Sequence, residues 1–186
     1  MDGPTITPTP HQLRALAHPV RLRMLGMLRL DGPATATSLA TRLGLNSGAT
    51  SYHLRTLAQH GFVLDDAERG NGRERWWKAA HTSTYTQTAE SGTEAADSED
   101  AFLQSAAVVY TEWLQRAMEE RPLLPQPWRD ASTFSDWVQL VTPTKAKAVM
   151  DAVSEILEAV DDQPDEADAR HVVFQFSAYV RPGQDH

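Results

Sequence analysis

Apolar residues recur at helical spacing through most of the first sixty positions. Leu13, Leu16 and Ala17 share one face of a short helix expected over 10–18. Pro19 suits the first turn of a second helix, which runs to about Leu30. Val20, Leu22, Met24, Leu25, Met27 and Leu28 give that helix a broad apolar face and leave Arg21, Arg23 and Arg29 outside. Asp31-Gly32-Pro33 stops it. Thr35 is the expected N-cap of a third helix over 36–43, which buries Leu39, Ala40 and Leu43, and Gly44 fits just past its end. Ser47 is the expected N-cap of a fourth helix over 48–60, striped with Thr50, Leu54, Leu57 and Ala58 and closed by Gly61. Two short helices joined through Gly44-Leu45-Asn46 read as a helix-turn-helix.

The period then changes. Phe62-Val63-Leu64 predicts a short strand, Gly70-Asn71-Gly72 a tight turn, and Arg73 to Ala79 the return strand, so a β-wing follows the fourth helix. Residues 1–9 read as a loose tail, and 80–98, rich in Thr, Ser, Ala and Glu, as a linker. Phe102, Ala106, Val109, Tyr110, Trp113 and Ala117 repeat at three and four, which predicts a long helix from near Ser98 to about Glu120. Pro122, Pro125 and Pro127 break the pattern. A strand is expected over 134–141, a helix from Thr142-Pro143 to about Asp161, and a strand over 171–181. The fold class is α+β: a winged helix-turn-helix over 10–80, a linker over 81–98, and a helix/strand region over 99–186 for dimerisation or effector binding.

Charge divides the chain the same way. The net charge of −8 hides a first segment, 1–80, with ten basic and six acidic residues, and a remainder with seven basic and nineteen acidic. The first segment thus carries +4 and the rest −12, as in a basic nucleic-acid module joined to an acidic one. Chance segregation of solvated charge gives the same numbers. Apolar runs are too short to cross a bilayer, and Met1-Asp2-Gly3-Pro4 lacks the basic and apolar regions of a secretory signal, so a cytoplasmic protein without a membrane partner is expected. The absence of cysteine excludes disulfides and thiolate chemistry.

A recognition helix buries one face and offers small or hydrogen-bonding side chains to the major groove. With Leu54 and Leu57 inward, Ser51, Tyr52 and Arg55 point outward, and Ser47 and Gly48 sit at the helix start, where backbone amides can meet a phosphate. Arg55 can reach a guanine edge or a phosphate, and the sequence leaves both open. A polar surface helix in any small bundle has the same pattern; the wing favours DNA. Arg69, Arg73 and Arg75 surround the wing tip, where they can lie along a phosphate backbone or in a minor groove, or simply be solvated. Trp76 and Trp77 alternate in a strand, so at most one faces the core, and packing rather than base stacking is the expected role.

The stretch Leu16-Ala17-His18-Pro19-Val20-Arg21-Leu22-Arg23-Met24-Leu25 resembles the opening of the ArsR-type winged-helix repressors. Leu39-Ala40-Thr41-Arg42-Leu43-Gly44, Ser51-Tyr52-His53-Leu54-Arg55-Thr56-Leu57 and Gly61-Phe62-Val63 follow in the family's order. Gly48-Ala49-Thr50-Ser51-Tyr52-His53-Leu54 with Gly72-Arg73-Glu74-Arg75-Trp76-Trp77 is similar to an actinobacterial branch with a C-terminal extension. The resemblance covers roughly 10–80. It implies a homodimer on a palindromic operator in double-stranded DNA, with DNA held or released on a signal, and it places His53 near the DNA surface.

The founding metal sensors carry two cysteines just ahead of Leu-Ala, where this chain has Thr35 and Thr37, so thiolate sensing at that place is excluded. The histidines show no tight ligand spacing, and neither a metal nor another cofactor is expected. Tyr110, Trp113, Trp128, Phe134 and Trp137 can line a pocket for a small apolar effector or can equally be core. No nucleophile elbow, phosphate loop or zinc motif points to an enzyme. Two readings remain, a homodimeric DNA-binding repressor and a winged-helix module for protein–protein contact.

Overall fold

Thr9 begins the helical part of the chain. Its side chain caps the backbone N–H of Gln12, and the Gln12 side chain returns the bond to Thr9, a reciprocal pair that satisfies two orphan donors. Helix α1, Pro10–Leu16, follows, and α2, Pro19–Leu30, starts at once behind His18. In this computed structural model the described residues are 5–69, 74–86, 88–161 and 165–183. The chain forms two compact units, 1–119 and 120–186.

In the first unit, Thr35 caps α3, Ala36–Leu43, by accepting the Ser38 N–H at 3.2 Å. Gly44 ends that helix at φ 64°, in the left-handed region that a Cβ disfavours. Helix α4, Ser47–Gln59, is capped by Asn46 rather than by the expected Ser47; the Asn46 Oδ1 accepts the Ala49 N–H at 2.7 Å. Both residue types cap well, and the helix therefore starts one residue earlier than its Ser47 suggests. Strand β3, Val63–Asp65, pairs antiparallel with β4, Trp76–Ala79, to make the wing. Residues 70–73, which hold the expected tip and Arg73, lie outside the described residues.

Three expectations about the flanks need correction. Ala34–Thr35 is itself a short strand, β2, on the outer side of β4, which gives a three-stranded sheet of order β2-β4-β3. The tail is not wholly loose: Thr5–Ile6 forms β1 in parallel with β5, Ser83–Thr84, which falls inside the segment read as a linker. Two-residue strands carry too little alternation to be read from sequence. The long helix α5, Glu94–Glu120, starts ahead of Ser98, because the Thr93 hydroxyl accepts the Ala96 N–H at 3.2 Å and acidic residues fill the first turn.

The core joins all of these elements. Leu16, Met24, Leu25, Leu39, Leu54, Leu57, Phe62 and Val63 are almost fully enclosed, and Trp77, not Trp76, completes the wing side. Phe102 and Ala106 of α5 belong to the same cluster. Arg23 clamps Glu112 with both arms of its guanidinium (Nε to Oε2 2.8 Å), and Arg14 pairs with Glu94 and donates to Ser98 Oγ at 3.1 Å. Within the long segment expected as one C-terminal region, α5 thus packs on the helix-turn-helix, and the division between compact units comes at Glu119/Glu120.

The second unit holds a 3-10 turn (Arg121–Leu123), α6 (Gln126–Ala131) and α7 (Pro143–Glu158), the last capped by Thr142 on Lys145 N–H at 3.3 Å. The strands expected over 134–141 and 171–181 do not form: neither stretch joins a ladder among the described residues. A run of strand-favouring residues makes a strand only when a neighbouring segment takes up its backbone donors and acceptors. No helix among the described residues is long and apolar enough to cross a membrane.

Gly26 of α2 lies against Trp113 of α5. A Cβ at Gly26 would come within 2.7 Å of the indole Cζ2, and a ring fixed in a helix–helix contact yields little. Gly26→Leu should therefore lower the stability of the first unit by about 1–3 kcal/mol, despite the better helix former. A second change, Trp113→Ala, should recover part of that loss in a double-mutant cycle of chemical denaturation curves.

Candidate nucleic-acid interface

Helix α4 is held by one face. Leu54 and Leu57 are at 0% exposure and Thr50 is buried, its hydroxyl donating to Asn46 O at 3.1 Å. The opposite face therefore has to project. Ser47, Gly48 and Arg55 are exposed, Ser51 is half-buried, and Tyr52 is 62% exposed. Arg55 rests along its own helix through Nε to the Ser51 carbonyl at 3.1 Å, with no ion pair among the described residues. The six residues singled out on α4 thus include five on or at the edge of one polar face, headed by the helix N-terminus.

His53, the sixth, turns sideways. Its ring centroid lies 4.7 Å from that of His18 and 5.6 Å from that of Tyr52, and its Nδ1 is buried with no hydrogen-bond partner among the described residues. His18 in turn caps α2, its Nδ1 accepting the Val20 N–H at 3.2 Å. Burial, then the neighbouring His18 and Arg21, holds His53 below the ordinary histidine range, and burial with Arg21 does the same to His18. These contacts link the start of α2 to the middle of α4. The sequence separates His18 and Arg21 from His53 by more than thirty positions, so nothing in its spacing signals the cluster.

On the wing, two of the three singled-out arginines are described. Arg75 pairs with Asp65 at 2.6 Å across the strands and lies 4.2 Å above the Trp77 ring. Arg69 reaches Asp66 at 3.4 Å, and Lys78 meets the same carboxylate at 3.0 Å. Arg69, Arg75 and Lys78 are thus each held by Asp65 or Asp66, which orders the cationic side chains at the wing's base. Arg73 lies outside the described residues.

The sequence model of a family described as "Helix-turn-helix domain" matches residues 16–65, the span from the end of α1 to the end of β3. Residues 16–65 are thus similar to a helix-turn-helix domain, in keeping with the paired helices α3 and α4. The chain is also 38% identical over 66 residues to the HTH-type transcriptional regulator NmtR of Mycobacterium tuberculosis, a match over 36% of this chain and 54% of that one. The chain thus spans about half the length of the curated relative it matches. Among solved structures, a Lactococcus lactis ZitR mutant in apo form aligns over 75% of this chain and 80% of its own at 12% identity and a TM-score of 0.30.

The five aromatics expected at an effector pocket fall in both units. Tyr110 and Trp113 lie on α5 with ring centroids 5.9 Å apart, and Trp113 is half-buried. Trp128, Phe134 and Trp137 belong to the second unit, where Phe134 and Trp137 are about four-fifths exposed and Trp128 lies 5.9 Å from the Arg170 guanidinium. Among the described residues no group of three potential ligands is placed to hold a metal ion.

His18, His53, His60 and His81 all sit below the ordinary value of 6.5, each chiefly through burial. The unfolded chain then binds more protons than the folded one as the pH falls through about 6.5, so stability is full above that pH and is lost below it. Melting temperatures should drop between pH 7.5 and 5.5, before most carboxylates titrate. His53→Gln should shrink the drop; an unchanged drop would remove His53 from the set responsible.

Proposed function

We propose that this chain is a transcription regulator that binds double-stranded DNA sequence-specifically as a homodimer, on a palindromic operator, and acts as a repressor. One observation carries the reading: a helix clamped by Leu54 and Leu57 presents Ser47, Gly48, Ser51, Tyr52 and Arg55 on its free face. That face suits the major groove, with the α4 amides on a phosphate and Arg55 on a base edge or a neighbouring phosphate. The match to a helix-turn-helix family and the likeness to a transcriptional regulator support it.

The wing extends the contact along the backbone through Arg69, Arg73 and Arg75, with His53 beside the polar face of α4, against His18. One such module meets few phosphates and bases, and two copies related by a twofold axis double the contact and fix the half-site spacing. Val108 and Met118 remain exposed along α5 and offer apolar surface for that pairing. With no cysteine in the chain, a signal reaches this regulator by some means other than a thiolate-bound metal.

Fluorescence anisotropy with the DNA upstream of its own coding region, against a scrambled duplex, tests the proposal. Binding should be selective and fall steeply between 50 and 200 mM salt, in the range set by counterion release. Arg55→Ala should weaken specific binding about tenfold or more, with the circular dichroism spectrum unchanged because the side chain is exposed. Equal binding to both duplexes, unaffected by Arg55→Ala, would instead favour a module for protein contact.

A further inference from the structure

Arg29 lies at the end of α2 in an unusual setting. It is half-buried, and among the described residues no carboxylate forms an ion pair with it. Its Nε donates to the His81 carbonyl at 2.9 Å and its Nη2 to the Thr84 hydroxyl at 2.9 Å, which leaves further N–H donors on the guanidinium. Burial brings its pKa down to about 10, with the Tyr110 phenol opposing the fall. A partly desolvated charge without a counter-charge is costly, and a bound anion would offset that cost.

A cleft of about 420 Å³ opens onto this guanidinium. Its walls differ in kind. Thr82, Ser83, Thr84 and Thr86 line one side, and Phe102, Leu103 and Ala106 of α5 line the other, with Tyr110 at the α5 end. Arg29 is the single charged residue in the lining. We infer that this cleft binds a small monocarboxylate, its carboxylate on Arg29 and the threonine and serine hydroxyls, its apolar body against Phe102, Leu103 and Ala106. One cation balances one negative charge; a dianionic phosphate would leave a charge uncompensated in a half-enclosed site. The apolar wall excludes an acid that is polar throughout.

The location gives the binding a consequence. His81 is two residues past β4, so the guanidinium that would receive the acid also anchors the exit of the wing to α2. That consequence rests on the DNA-binding reading above; the binding itself does not.

Isothermal titration calorimetry on the full chain, without DNA, reads the site directly. The probes are hexanoate, benzoate and phenylacetate, each beside its neutral amide. At least one acid should bind, and its amide should bind roughly tenfold or more weakly, the loss expected for a charge-assisted contact. Thr86→Glu, which supplies a tethered carboxylate to the cleft, should abolish acid binding, whereas Thr86→Gln, of the same size, should keep it. Arg29→Lys holds the charge but not the fork, and should weaken the acid while the melting temperature reports whether the fold survives. Acids and amides that bind alike, equal binding by the two Thr86 variants, or no heat from any acid would overturn the assignment and leave Arg29 as a structural clamp. A chain that binds an acid but fails to select DNA would keep the cleft and remove the regulatory reading.

Discussion

Leu54 and Leu57 must point inward before anything on α4 can point outward. They meet Leu16, Met24, Leu25, Leu39 and Phe62 in one enclosed cluster, and every neighbouring element is arranged to keep that cluster dry. Helices α1 and α2 close one side, α3 another, and the wing strands with Trp77 a third. Full burial of a leucine side chain contributes about 1.5–3 kcal/mol relative to exposure, so the pair fixes the rotation of α4 far more firmly than its exposed hydrogen bonds do. The orientation of Ser51, Tyr52 and Arg55 is a by-product of that packing.

The same logic explains what could be read in advance. Helices α2 and α3 begin and end where the sequence places them, because Pro19, Thr35 and Gly44 act on the backbone within a residue or two of themselves. The polar face of α4 was legible for the same reason, since the stripe of Thr50, Leu54 and Leu57 fixes its complement. Features that need a distant partner were not. The His18–His53 contact, the β1–β5 pair and the Gly26–Trp113 approach each join segments far apart in the chain, and no local pattern encodes them. The segments 134–141 and 171–181 show the converse: they are rich in residues that strands favour, yet composition is only a preference and a strand also needs a neighbour.

Electrostatics divides the chain in a way that complements this geometry. The six acidic residues of the first eighty include Asp31, Asp65 and Asp66, each engaged by an arginine or lysine of its own domain. Arg55 stays outside such pairs among the described residues, on the face that the core leaves free. Arg14 and Arg23, by contrast, are directed to Glu94 and Glu112, so two of the domain's cations serve to hold α5 rather than to meet solvent. Net charge by segment therefore overstates the positive surface, and the useful measure is which cations lack a partner.

The short parallel pairing of β1 with β5 reaches beyond packing into the order of assembly. Thr5 Oγ1 meets Ser83 Oγ at 2.7 Å, and Tyr85 N–H donates to the Ile6 carbonyl at 2.9 Å. Residues at the very front of the chain thus wait for a partner almost eighty positions downstream. During synthesis the helices α1 to α4 can collapse first on contacts close in sequence, whereas β1 stays undocked until the wing has left the ribosome. The pairing needs the segment beyond the wing, so it ties the first residues of the winged helix to the completion of the wing.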